Sequence, residues 1–312
     1  ASSGCAALVG ARPLDTARPG ATSYHTVHVD GRARHFLLHL PPAAARGPVP
    51  LVLAFHGHGG SGAVLRAASR LDDAADEAGF AVAYPDGSGR VPGIGLSWNA
   101  GTCCGYARAR RVDELAFVDT LVATLRRRAP IDSTRVYAAG FSAGGMLALR
   151  LACERATTFL GVVDVAGAMP DTACAPGHPV SVLLVQGAED DELRFDLRTL
   201  RRTRGSHRFA HSLEQALLWW ARHDGCRAPA GLAAVVRDST ADRVHERATG
   251  CPAGVHVELV TIADHPHAWP GGVATWLFAP RPAPQVDASR LALDFFARSA
   301  REVGTAMSRV VR

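Results

Sequence analysis

The chain contains no lysine: all 34 of its Lys and Arg positions are arginine. The bias reads as coding composition, yet it excludes one chemistry. The phosphate-cradling pattern GxxxxGK[ST] needs a lysine and cannot be completed here. Aromatic residues are scarce, at 6% of the chain. None alternates with arginine in the two densest basic runs, 126–128 and 198–204. A nucleic-acid surface would interleave the two, so the net charge of +5 does not imply one. The first basic run closes a predicted helix, where positive charge is favoured anyway. There is no run of about 18 apolar residues, so no membrane-spanning helix is expected. There is no CxxC pair and no His/Cys cluster at zinc-finger spacing, so no metal is expected. The first twenty residues lack the basic start and long apolar core of an intact signal peptide. They suit the stretch left after one is removed.

What is present suits a large globular domain. With 312 residues and 47% hydrophobic content the chain can bury a sizeable core. Residues 1–22 are rich in Ala, Gly, Pro and Arg and read as a flexible lead-in. Residues 23–312 show no repeat and no composition break, and read as one domain. Of seven cysteines, Cys103, Cys104, Cys153, Cys174, Cys226 and Cys251 lie in the globular part. Six fit up to three disulfides and an exported protein, secreted or periplasmic. Cys226 and Cys251 flank a polar, loop-rich stretch and are the best candidate pair; the other four pair among themselves, in a pattern that adjacent Cys103 and Cys104 leave open. Gly4-Cys5 before small residues has the outline of a lipoprotein processing site, which makes Cys5 a candidate lipid anchor. The apolar residue expected three positions earlier is missing.

Periodicity gives the architecture. YHTVHVDGRARHFLLHLP, 24–41, predicts two strands around Asp30-Gly31. Short apolar runs predict buried strands at 51–57, 80–85, 135–141, 160–167, 179–187 and 255–262. Helical spacing covers 61–78, 113–128, 143–154, 211–225 and 288–300. Asp113 reads as a helix cap. The irregular stretch 86–111 is too long for an ordinary loop, and its Trp98 and adjacent cysteines argue for order. Strands alternating with helices predict a mostly parallel central sheet with helices on both faces.

The chemistry starts at Gly140-Phe141-Ser142-Ala143-Gly144. This is a G-x-S-x-G between a strand and a helix, the pattern of a nucleophile elbow. The glycines must be small because strand and helix crowd there, and the helix N-terminus favours developing negative charge. A serine hydroxyl needs a base, and the base an orienting acid; on this fold the order is serine, acid, histidine. Strand 179–187 ends in Glu189, Asp190 and Asp191. Strand 255–262 is followed by His265 and His267. One oxyanion donor is the N–H of Ala143. The other falls in HGHGGSG after the early strand, at His58. His56 and His58 lie two apart with no clustered third ligand, a poor basis for a metal site. Trp98 and Trp269 flank the expected cleft and are candidates to pack an acyl chain or aromatic ring.

The order HGHGGSG, SWNAGTCCGYA with VDELAFV, GFSAGGMLALRLACE, QGAEDDELRF and HAWPGG resembles the polyhydroxybutyrate depolymerase and feruloyl esterase family, including its LpqC-like members, over about residues 25–300. The resemblance implies an α/β-hydrolase fold, with Ser142 as nucleophile, Asp190 as acid and His267 as base. Two departures fall near the expected cleft. Gln186-Gly187-Ala188 stands where the family commonly has His-Gly-Thr, and ELRF replaces a VPY-like run. They bear on substrate preference more than on catalysis. No polymer- or carbohydrate-binding module follows residue 300, so tight adsorption to a solid polymer is not expected. The resulting expectation is an exported serine hydrolase that cleaves carboxylic esters through an acyl-enzyme without a cofactor. Its substrates would be hydroxybutyrate oligomers or feruloyl and acetyl esters. A peptidase or acyltransferase on the same scaffold, and a non-catalytic binding protein on this frame, are the alternatives.

Overall fold

The computed structural model describes residues 13–169, 174–192, 213–227, 235–275 and 280–310, with side chains as far as residue 300. β1 (Ala21–Val29) and β2 (Arg32–Leu40) form the expected hairpin. Asp30 and Gly31 at its tip have φ of 49° and 74°, the left-handed pair a two-residue turn needs. β3 (Val49–Phe55), β4 (Ala81–Pro85), β5 (Ile131–Phe141), β6 (Gly161–Val165), β7 (Ser181–Gly187) and β10 (Val257–Ile262) are the buried strands. With β8 (Val235–Ser239) and β9 (Arg243–Ala248), the order is β1-β2-β4-β3-β5-β6-β7-β10-β9-β8, with β4 through β10 parallel and two antiparallel strands at each edge.

Both faces of the sheet are covered, and β3 shows how. Leu51, Leu53 and Phe55 point to a core completed by α4 (Glu114–Arg128), α5 (Ala143–Glu154) and α6 (Leu213–His223). Val52 and Ala54 point to a second core beneath α1 (Gly62–Ser69), α2 (Leu71–Ala78) and α7 (Ala288–Val310). Alternate residues facing two apolar layers explain why the strand reads as an unbroken hydrophobic run.

Four expectations need correction. The helix expected over 61–78 is two helices, because Arg70 adopts a left-handed conformation, φ 52°, between Ser69 and Leu71. The stretch between Cys226 and Cys251 includes an edge hairpin, β8 (Val235–Ser239) with β9 (Arg243–Ala248). Charged residues interrupt both strands, and the most buried of them is Glu246, so no apolar alternation announces it. The closing helix runs on past 300 to Val310. Leu14 is buried in the core and the Gly20 N–H bonds to the Leu40 carbonyl at 2.7 Å, so residues 14–22 pack on the fold instead of leading loosely into it. The earlier part of that lead-in, with Cys5, lies outside the described residues. Asp113 caps α4, its carboxylate accepting the Ala116 N–H at 3.0 Å.

The long stretch after β4 is ordered by a buried ion pair. Arg34 on β2 meets Glu114 at 3.0 Å, and its guanidinium lies 3.8 Å from the centre of the Phe117 ring. The Glu114 carboxylate also accepts the Asn99 N–H, and Arg34 donates to the Asp86 carbonyl at 3.2 Å. One pair thus ties strand β2, a helix and both parts of the loop. Removing one partner strands the other charge, at a cost of about 3–5 kcal/mol. Glu114→Ala is therefore expected to lower unfolding stability by that amount in urea denaturation, and Arg34→Met with Glu114→Leu together by much less.

Candidate active site

The chain lays β4 on one side of β3 and then crosses to lay β5 on the other. The carboxyl ends of β3 and β5 therefore border a crevice at the point where strand order reverses, the usual place for a site in such a sheet. The cleft there has a volume of about 570 Å³ and is lined by Ser142, His267, Glu192 and the glycine loop 57–60.

Ser142 stands between β5 and α5 with φ 54° and ψ −120°, a conformation that costs a non-glycine residue energy. Its N–H is held by the Val165 carbonyl at 2.8 Å, so the end of β6 braces the turn. The flanking glycines are sterically required. A Cβ on Gly140 would run into the Gly144 carbonyl, and one on Gly144 into that of Phe55 on β3. Three backbone segments thus meet under the serine. Among the described residues the N–H groups of Ala143 and His58 have no hydrogen-bond partner. For Ala143 this is the ordinary state of a helix start, and it leaves a donor for an anion.

His267 follows β10. Its Nδ1 lies 2.8 Å from Asp190 Oδ2, and its ring centre is 4.9 Å from that of Phe141. Asp190, just past β7, is buried. Its Oδ2 also accepts from Gln186 Nε2 at 2.8 Å, and its Oδ1 accepts the Glu192 N–H at 3.0 Å. Of the two other acidic candidates, Glu189 and Asp191 are exposed. His265 is buried elsewhere, with Nε2 3.1 Å from the Ala268 carbonyl and Nδ1 accepting the Ala283 N–H at 3.0 Å.

Trp269 lines the cleft, its indole N–H bound to Ser289 Oγ at 3.0 Å. Trp98 does not. It is fully buried, its indole N–H held by the His56 carbonyl at 2.8 Å and its ring 4.9 Å from that of His56. A tryptophan in a loop next to a site is as useful for fixing that loop as for touching a ligand, and here it does the former. His56 is likewise structural: Nδ1 donates to the Gly57 carbonyl at 2.7 Å and Nε2 accepts the Gly87 N–H at 3.0 Å. Burial pushes its pKa down to about 4, so it is neutral. Disulfides join Cys226 to Cys251, Cys153 to Cys174 and Cys103 to Cys104.

Residues 34–187 match the family described as Esterase PHB depolymerase. NocK of Nocardia uniformis subsp. tsuyamanensis, which bears the name of an esterase, is 33% identical over 276 residues, covering 84% of this chain and 77% of NocK. The chain belongs to this esterase family. It is a serine carboxylic ester hydrolase. Feruloyl esterase B of Piromyces equi is 27% identical over 73% of the chain, which spans 41% of that longer protein. Among solved structures, a dienelactone hydrolase-like promiscuous phosphotriesterase from metagenomic libraries, P91, superposes with a TM-score of 0.56 at 16% identity, covering 89% of this chain and 98% of P91. The acetyl xylan esterase of Aspergillus awamori gives 0.54 at 16% identity, over 79% and 94%. At that identity the likeness concerns the fold, and the fold is that of an α/β-hydrolase.

Behind the esterase's serine lies a group that sequence reasoning passed over. Asp164 on β6 pairs in register with Gly140 and is fully buried. A Cβ on Gly145 or on Gly167 would strike its carboxyl group, which accounts for the second glycine of Gly144-Gly145. Asp164 Oδ1 has no hydrogen-bond partner among the described residues. Burial raises the pKa to about 8, only partly offset by the Gly167 N–H. The signal was a lone acid within an apolar strand. In the unfolded chain this acid titrates near pH 4. Between about pH 4 and pH 8 the unfolded state therefore binds fewer protons than the folded one, and stability falls as pH rises. Asp164→Asn is expected to remove that fall. Its melting temperature relative to wild type should climb from pH 4 to pH 8 and level off above, as followed by circular dichroism.

Proposed function

We propose that the chain hydrolyses esters through an acyl-enzyme on Ser142. His267 takes the hydroxyl proton as Oγ bonds to the ester carbonyl carbon. The carbonyl electron pair moves to oxygen, which the N–H groups of Ala143 and His58 stabilise. As the carbon–alcohol bond breaks, His267 Nε2 gives the proton to the departing alkoxide. Water then attacks the acyl carbon and loses a proton to the same nitrogen; the carbon–Oγ bond breaks, His267 returns that proton to Oγ, and the acid leaves. Asp190 holds the imidazole with Nδ1 protonated, the tautomer that leaves Nε2 free to accept. The observation that carries this reading is the 2.8 Å Nδ1–Oδ2 contact of a histidine that shares its cleft with a strained serine at a helix start. No step calls for a cofactor.

Val64, Leu65, Ala68 and Trp269 give one cleft wall an apolar surface. This suits short or aromatic acyl groups, so hydroxybutyrate oligomers and feruloyl or acetyl esters are the substrates put forward. The whole of residues 23–312 is taken as one catalytic domain. Three disulfides support export, secreted or periplasmic, with a lipid anchor at Cys5 as its membrane-attached form. Among the described residues no helix is long and apolar enough to cross a membrane.

Hydrolysis of a short p-nitrophenyl ester tests the assignment. Ser142→Ala and His267→Ala should each lose on the order of a thousandfold or more in kcat, and Ser142→Ala should no longer react with a fluorophosphonate probe. Equal rates in wild type and Ser142→Ala would reject it. Gln186→Leu, which takes a donor from Asp190 without touching substrate, should lower kcat with little change in KM, and Gln186→His should restore much of it.

A further inference from the structure

We propose that Glu192 selects the alcohol half of the ester by charge; this rests on the assignment of Ser142 and His267 above. The acid's own loop aims it. Asp190 accepts the Glu192 N–H at 3.0 Å, which fixes the backbone, and the Glu192 side chain then projects into the cleft. Its Oε2 lies 3.5 Å from His267 Nε2, the nitrogen that Asp190 does not hold. The contact lacks hydrogen-bond alignment and is an ion pair only while His267 carries the proton it takes from the serine. Nε2 is where the leaving alkoxide collects its proton, so Glu192 stands beside the departing alcohol and away from the acyl group. The carboxylate is 72% exposed, free of other described ion pairs, and able to meet a ligand.

Its surroundings sharpen the effect. Apart from His58 and His267, the described lining of the cleft is apolar or neutral, and His56 is uncharged. None of the 34 arginines is among the described lining residues. A basic protein thus presents a carboxylate, unopposed by those residues, where the alcohol leaves. An alcohol bearing an anionic group close to its ester oxygen is repelled there. One bearing a hydroxyl or an ammonium close to that oxygen is held, because the carboxylate accepts a hydrogen bond or pairs with the charge.

The test uses four acetate esters, of ethanol, glycerol, choline and glycolate. The acyl-enzyme is then common to all, and differences in kcat/KM report the alcohol. Wild type is compared with Glu192→Gln and Glu192→Lys, both of which keep the backbone N–H bond to Asp190 and alter only an exposed side chain. Relative to ethyl acetate, Glu192→Gln should raise the glycolate ester by on the order of tenfold and lower the choline ester by a similar factor, with a smaller fall for the glycerol ester. Glu192→Lys should reverse the order of the glycolate and choline esters, and about 1 M salt should shrink the wild-type preference. Unchanged ratios among the four esters would overturn the proposal. So would an equal loss on all four, the mark of a group that acts on His267 alone. Ser142→Ala in the same panel separates the two levels: residual activity there sinks the underlying assignment, whereas inactivity there with fixed Glu192 ratios sinks this proposal only.

Discussion

The structure turns on a backbone constraint, the left-handed turn at Ser142. A non-glycine residue with φ near 54° persists only when its surroundings over-determine it. Here the surroundings are three backbone segments at glycine-only distances, β5 against α5 at Gly140 and Gly144 and α5 against β3 at Phe55. The Val165 carbonyl closes the fourth side. Strain in one residue is thus balanced by the packing of four sheet and helix elements, and the same packing sets the hydroxyl at the mouth of the crevice. The glycine loop 57–60 lies beside it because β3 is the strand that α5 touches.

Around that fixed point the polar groups fall into two sorts. Some are buried and saturated: Asp190 by His267, Gln186 and Glu192, His265 by two backbone groups, His56 by two more. Each fixes a loop in one geometry. Others are left open, namely Ser142 Oγ, the two free N–H groups and the Glu192 carboxylate. Loops in one conformation presenting open groups are what preorganised catalysis needs, since nothing has to be rearranged when charge develops.

Much of this was legible in the sequence because it obeys strong local rules. Apolar runs such as LVLAF must be strands covered on both faces, and Asp30-Gly31 between strands must be a tight turn. Ser142 was readable from its glycines, since only close approach explains small residues on both sides. The choice of His267 over His265, and of Asp190 over its neighbours, was not a matter of local chemistry and needed the resemblance. What escaped depends on tertiary context. The edge hairpin β8–β9 turns Val235, Ala248 and a buried Glu246 toward the core, too mixed a face to impose apolar alternation. Arg70 breaks a helix that its side chain favours. Trp98 faces inward because the His56 carbonyl needs a donor. Gln186 gave no sign that its amide would reach four residues on to the acid, and Glu192 looked like part of a solvated acidic run.

The order of the parts along the chain carries a consequence for how activity arises. The glycine loop, the serine, the acid and the histidine follow β3, β5, β7 and β10 in turn, so the cleft draws on residues from 56 to 282. A chain emerging from the ribosome carries the residues of the elbow long before β10 exists to bring its histidine. With the roles assigned above, the nascent polypeptide is hydrolytically silent until its last parallel strand docks. On those proposed roles the enzyme acquires a working nucleophile only as a finished fold, and a partly made or C-terminally clipped chain has the proposed nucleophile but not its proposed base.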